Sequence, residues 1–100
     1  MPKRVSRDGS ADPAVTLRIT DEFIASLAEI QSDKLLSRIY DQVNLVSAYP
    51  DSGLPDVRSS LVLRYGQGLR KLVVPPYIVV YRHASEFVDM LALVYGPAIR

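Results

Sequence analysis

Apolar and polar positions along this chain change their period three times, and each change marks an element. In Val15-Thr16-Leu17-Arg18-Ile19-Thr20 apolar alternates with polar, so Val15, Leu17 and Ile19 share one face of a half-buried strand. Thr20 is then placed to cap a helix whose first turn holds Asp21 and Glu22, where carboxylates meet the positive end of the helix dipole. Phe23, Leu27 and Ile30, with Ile24 and Ala28 beside them, mark one face of that helix. After a break at Gln31-Ser32-Asp33, a second stripe of Leu35, Leu36, Ile39, Val43 and Val46 runs on to Tyr49-Pro50. Two amphipathic helices with so short a link are expected to lie as an antiparallel hairpin.

Pro50, Asp51, Ser52, Gly53 and Pro55 form a turn-rich exit, after which the period drops to about two. Strands are expected over 60–65, 69–74, 77–82 and 87–95, with Gly66-Gln67-Gly68 and His83-Ala84-Ser85-Glu86 as the connecting turns. Pro75-Pro76 cannot sit in a central strand, because proline donates no ladder hydrogen bond; the pair marks either a bend or a hairpin between two antiparallel strands. The fold expected is α+β, in the order β-α-α-β-β-β(-β), with the helical hairpin packed on one face of a small antiparallel sheet. Residues 15–100 then form one domain behind a flexible tail at 1–14, where charge mixes with Gly, Ser and Pro without a period.

The 100-residue length fits a single core, and 48% hydrophobic with 23% charged residues is far from the composition of a disordered chain. Without cysteine there is no disulfide framework, thiolate metal site or cysteine nucleophile, and no apolar run is long enough to span a bilayer, so a cytoplasmic location is expected and no membrane partner. Charge changes the picture more than composition does. Residues 1–19 hold four basic and two acidic residues (+2), residues 20–56 two and seven (−5), and residues 57–100 six and two (+4). An anion-binding surface, if the chain has one, belongs to the later strands.

Arg64, Arg70, Lys71 and Arg82 fall on those strands, interleaved with Tyr65, Tyr77, Tyr81 and Tyr95. Guanidinium forks bind phosphate at two points and tyrosines offer stacking faces, a combination suited to single-stranded nucleic acid; the same pattern also describes a solvated sheet face with half-buried tyrosines. His83, the single histidine, has the right ordinary pKa for proton transfer, but its place at a turn fits a plain exposed residue better. No metal site is expected, since no histidine pair stands at helical spacing, and the chain has no phosphate-binding GxxxxGK and no GxSxG element. No cofactor is implied. Metal-free RNA cleavage would need cations on the phosphorane, for which Arg70 and Arg82 are the candidates, and proton carriers drawn from Tyr81, Tyr95 and His83.

Tyr49-Pro50-Asp51-Ser52-Gly53, Gly68-Leu69-Arg70-Lys71-Leu72, Pro76-Tyr77-Ile78-Val79-Val80-Tyr81-Arg82 and Leu91-Ala92-Leu93-Val94-Tyr95-Gly96 follow one another in an order that resembles the RelE/ParE superfamily of toxins from bacterial type II toxin-antitoxin pairs. The Pro-Asp-Ser-Gly turn is the more ParE-like feature. The resemblance covers residues 15–100 and implies a plasmid-stabilisation (addiction) toxin that arrests growth and is neutralised by a cognate antitoxin. Its target would be DNA gyrase, as for ParE-like members, or ribosome-bound mRNA, as for RelE-like members acting as metal-independent endoribonucleases (mRNA interferases). It further implies catalytic roles for Arg70, Arg82 and Tyr95, and target or nucleic-acid contacts for Arg64, Tyr77, Tyr81 and Arg100. Only Gly96 to Arg100 follow Tyr95, where both branches commonly carry a basic tail. That departure implies an alternative, a catalytically degenerate member serving as a non-catalytic protein-binding module.

Overall fold

A computed structural model describes residues 15–98; the expected tail at 1–14 and the candidate contact Arg100 lie outside the described residues. The chain runs β1 (Thr16–Ile19), α1 (Asp21–Ala28), α2 (Asp33–Ala48), α3 (Ser59–Tyr65), β2 (Leu69–Val74), β3 (Tyr77–Ala84) and β4 (Phe87–Tyr95), closed by a short 3-10 turn at Gly96–Ala98. The α+β class and the helical layer on a sheet are as the periodicity implied. Pro75 and Pro76 form the hairpin between β2 and β3, which pair antiparallel from Leu69↔Arg82 to Val74↔Tyr77. The second hairpin turn is tighter than expected, only Ser85 and Glu86, so His83 lies within β3.

Two expectations are corrected. Residues 59–65 form a helix where alternation of Leu61, Leu63 and Tyr65 suggested a strand. As a helix the segment turns Leu61, Val62 and Tyr65 onto the sheet and leaves Leu63 pointing to solvent at 88% exposure. Gly66, at φ 95°, stops it by entering a region closed to most side chains. The sheet is also mixed rather than antiparallel throughout: its order is β1-β4-β3-β2, and β1 lies parallel to β4.

Thr20 explains how β1 is held. Its backbone N–H donates to Met90 O, its hydroxyl donates to Leu91 O at 2.9 Å and accepts from Phe23 N–H at 3.1 Å. Leu91 is available because β4 bulges there: Val80 pairs with Ala92 and Tyr81 with Met90, leaving Leu91 as the extra residue. One threonine therefore docks β1 on the bulge and starts α1. Ser32 caps α2 through Leu35 N–H without any further bond to the sheet.

Each face of the sheet carries its own core. On one, α1, α2 and the link between them bury Phe23, Ile30, Ile39, Val43 and Val46 against Leu72, Val74, Val79, Tyr81, Val88, Met90 and Leu93. On the other, α3 covers Leu69, Val80 and Ala92, so the face expected to be partly open is roofed over this region. Full burial of a side chain such as Phe23, Ile39 or Val79 is worth roughly 1.5–3 kcal/mol, so the first core supplies most of the driving force. Among the described residues no helix is long and apolar enough to cross a membrane. Thr20→Ala should lower the unfolding free energy by about 1–2 kcal/mol and exceed the loss for Ser32→Ala, because only the first also strips a bond from the bulge; urea unfolding of both variants checks this.

Candidate functional site

Arg70 and Arg82 leave the sheet on opposite faces. Arg70 is registered with Tyr81, whose ring lies in the core under α1 and α2, whereas Arg82 is registered with Leu69 in the core under α3. Neither guanidinium is idle. Arg70 Nη1 donates to Gly53 O at 2.8 Å and to Asp51 O at 3.2 Å. Arg82 Nη1 donates to Tyr65 O at 2.9 Å and to Gln67 O at 3.4 Å, satisfying the carbonyl end of α3.

Around Arg70 the turn after α2 is gripped from several sides. The Tyr81 hydroxyl, on a ring with 0% exposure, donates to Pro50 O and accepts from Gly53 N–H, both at 2.8 Å. His83 Nδ1–H donates to Asp51 Oδ1 at 2.9 Å, and Arg70 Nε stands 3.8 Å from the same oxygen. The His83 hydrogen bond, assisted by the charge of Arg70, holds Asp51 below the usual carboxylate range, while burial pushes the Tyr81 phenol up. Gly53 is obligatory here: a Cβ would stand 2.5 Å from the Tyr81 oxygen and 2.9 Å from Lys71 O. Just beyond it, Leu54 exchanges two 2.9 Å backbone hydrogen bonds with Lys71 and adds one rung to the β2 edge.

The remaining candidates are dispersed. Tyr95 pairs with Tyr77 at the Pro75-Pro76 end, ring centroids 5.6 Å apart in an edge contact. That is four residues, or about 13 Å, along the sheet from Tyr81 and Arg70. Arg64 is on α3, not on a strand; with Tyr65 it reaches Glu22 at the start of α1, the Tyr65 hydroxyl donating to the carboxylate. Burial and that carboxylate push the Tyr65 phenol up to about 12, so it remains a donor. Lys71 is half-buried on the α3 face. Next to Arg82, the registered pair Arg18 and Asp89 forms a two-point ion pair at 2.6 and 3.0 Å, with the Arg18 guanidinium 3.9 Å over the Phe87 ring. The periodicity gave no hint of this pair, because the sequence does not show that β1 lies beside β4. Among the described residues no group of three or more His, Asp or Glu is placed to hold a metal.

Helices α1 and α2 leave a further surface. Ile19, Ile24 and Tyr40, exposed at 42%, 52% and 52%, line an apolar groove with Leu27, Ala28, Ile30 and Leu36.

The family model described as ParE toxin of type II toxin-antitoxin system, parDE, matches residues 17–95. The chain belongs to the ParE toxin family. Its fold is similar to a solved structure titled chromosomal ParDE TA system from P. aeruginosa, with a TM-score of 0.53 and 19% identity over 84% of this chain and 98% of that one. No curated protein matches the chain. In this ParE-family domain, several residues that carried the sequence resemblance build the turn clamp: Pro50, Asp51 and Gly53 accept or donate the bonds and Arg70 and Tyr81 hold them, joined by His83 from just outside the resembling stretches.

Tyr81→Phe leaves the Gly53 N–H and Pro50 C=O without their partner and should cost about 1–3 kcal/mol; Gly53→Ala should cost at least as much through the clash, both read from denaturant midpoints. Two bonds from Arg18 hold the Asp89 carboxyl below the usual range. Because the folded-state value is depressed, this group contributes stability that is complete above the unfolded value of about 3.9 and is lost as pH falls through the folded one. Asp89→Asn should therefore be less stable at neutral pH and lose less stability than the parent between pH 4 and 2, as measured by thermal unfolding across that range.

Proposed function

We propose that this ParE-family toxin arrests growth by binding DNA gyrase, without hydrolysing RNA, and that a cognate antitoxin neutralises it in the cytoplasm. The observation that carries the reading is the divergence of Arg70 and Arg82 to opposite faces, each engaged with loop carbonyls. In-line cleavage of RNA requires cations and proton carriers to converge on one phosphate within hydrogen-bond reach. Tyr95 is remote from both arginines and the Tyr81 oxygen is enclosed by the turn, so the described residues offer no such convergence. The same residues are well used as scaffolding for a protein-binding surface.

Support for the antitoxin comes from the family match and from the ParDE title of the structural relative. The apolar groove between α1 and α2 is the surface we assign to it, since a large exposed apolar patch suits the apolar face of an amphipathic segment.

Purified toxin incubated with gyrase, ATP and relaxed plasmid should block supercoiling, while mapping of mRNA 5′ ends after induction should reveal no new cuts. Tyr95→Phe should arrest growth within about threefold of the parent's dose, since a tyrosine handling a proton would be worth on the order of 10²–10⁴ in rate. New codon-positioned mRNA ends together with unimpaired supercoiling would overturn the reading.

A further inference from the structure

The outer edge of β2 is the feature that neither the clamp nor the groove uses. Lys71 turns both its N–H and its C=O outward to Leu54, which fixes the alternation: Val73, two residues on, also presents its N–H and C=O away from β3. Among the described residues nothing receives them. The intramolecular strand that begins at Leu54 stops after one rung because Gly53 and Ser52 turn away under Tyr81. Val73 itself is 53% exposed, and Leu54, on the neighbouring rung, 55%. This edge is on the side of the sheet opposite β1, and hence opposite the α1–α2 groove that includes Ile19.

Beside the open rung is a recess lined by Arg38, Asp41 and Gln42 of α2 and by Val73, Val74 and Pro75. Arg38 and Asp41 are exposed, and neither enters an ion pair among the described residues. On a strand added at Val73, the residue opposite Val73 places its side chain on the α3 side. Its two neighbours point the other way, towards α2 and the recess. A side chain entering there meets a donor in Arg38, an acceptor in Asp41 and an amide in Gln42. A carboxamide matches all three, accepting from the guanidinium and donating to the carboxylate; a carboxylate or an ammonium meets a like charge.

The geometry points to a strand-addition site at Val73 for an extended segment of another polypeptide, with an apolar residue on the rung and asparagine or glutamine beside it. A second copy of the chain is the wrong shape for it. Symmetric antiparallel pairing at Val73 would set the partner's residue 75 against Lys71, a place Leu54 already fills. A separate peptide can leave the edge after one rung, over the exposed Leu54. The inference is independent of whether gyrase or mRNA is the target.

The test uses a capped pentapeptide with a central valine between two glutamines and serine at each end, titrated into the isotope-labelled full chain by NMR. The Val73 amide should shift saturably, with affinity at least threefold above that of the same peptide carrying glutamate or lysine in place of glutamine. N-methylation of the central valine, which removes its donor, should weaken binding about tenfold or more. Asp41→Lys, an exposed change, should transfer the preference to the glutamate peptide. A Val73 amide that does not respond, equal affinity for the three peptides, or a shift that depends on protein concentration without peptide would overturn the proposal, the last by making a second copy the occupant.

Discussion

The hydroxyl of Tyr81 is the point on which the arrangement turns. It is buried, and a buried phenol must be satisfied as both donor and acceptor or its removal from water becomes a net loss. The chain meets that need with one carbonyl and one N–H from the same turn, Pro50 and Gly53, and the turn is thereby pressed so close to the ring that no side chain fits at Gly53. Everything downstream follows from that fixed position. Arg70 finds two carbonyls within reach, His83 finds Asp51, and Leu54 is delivered to Lys71 as a short extra rung.

Arg82 performs the corresponding service on the other face, where the end of α3 presents carbonyls that have no helical partner. A guanidinium carries several donors in a plane, which suits it to gather carbonyls of a loop as well as oxygens of a phosphate. Residue type and strand position alone do not separate these uses. In this family member each of the two arginines is engaged with the carbonyls of a different loop, on opposite faces of the sheet.

Helices α1 and α2 were legible because their caps, Thr20 and Ser32, and their stripes agree with one another. Strands β2 to β4 were legible from alternation and from the turn residues between them. The segment 59–65 was not, because seven residues support both periods: Leu61, Leu63 and Tyr65 alternate, while Leu61, Val62 and Tyr65 stand at helical spacing. What decides between them is the bare sheet face beneath, a tertiary fact absent from any local window. The parallel pairing of β1 with β4 was hidden for the same reason, and so was the division of Arg70 from Arg82. Alternation relates each arginine only to residues of its own strand, so the β2–β3 register and the helices over each face were needed to show that the two diverge and that each has a loop to hold.

That parallel pairing sets an order of assembly. Arg18 and Asp89 are 71 residues apart in sequence, and Thr20 closes on carbonyls of Met90 and Leu91. Closing so long a loop carries a large entropic cost before any contact repays it, whereas the β2–β3 and β3–β4 hairpins form over a few residues. The first strand and the Thr20 cap can therefore close only once β4 has formed. Until β4 is in place the groove lacks Ile19 as a fixed wall, so the surface formed with α1 is completed by the longest-range contact in the sheet.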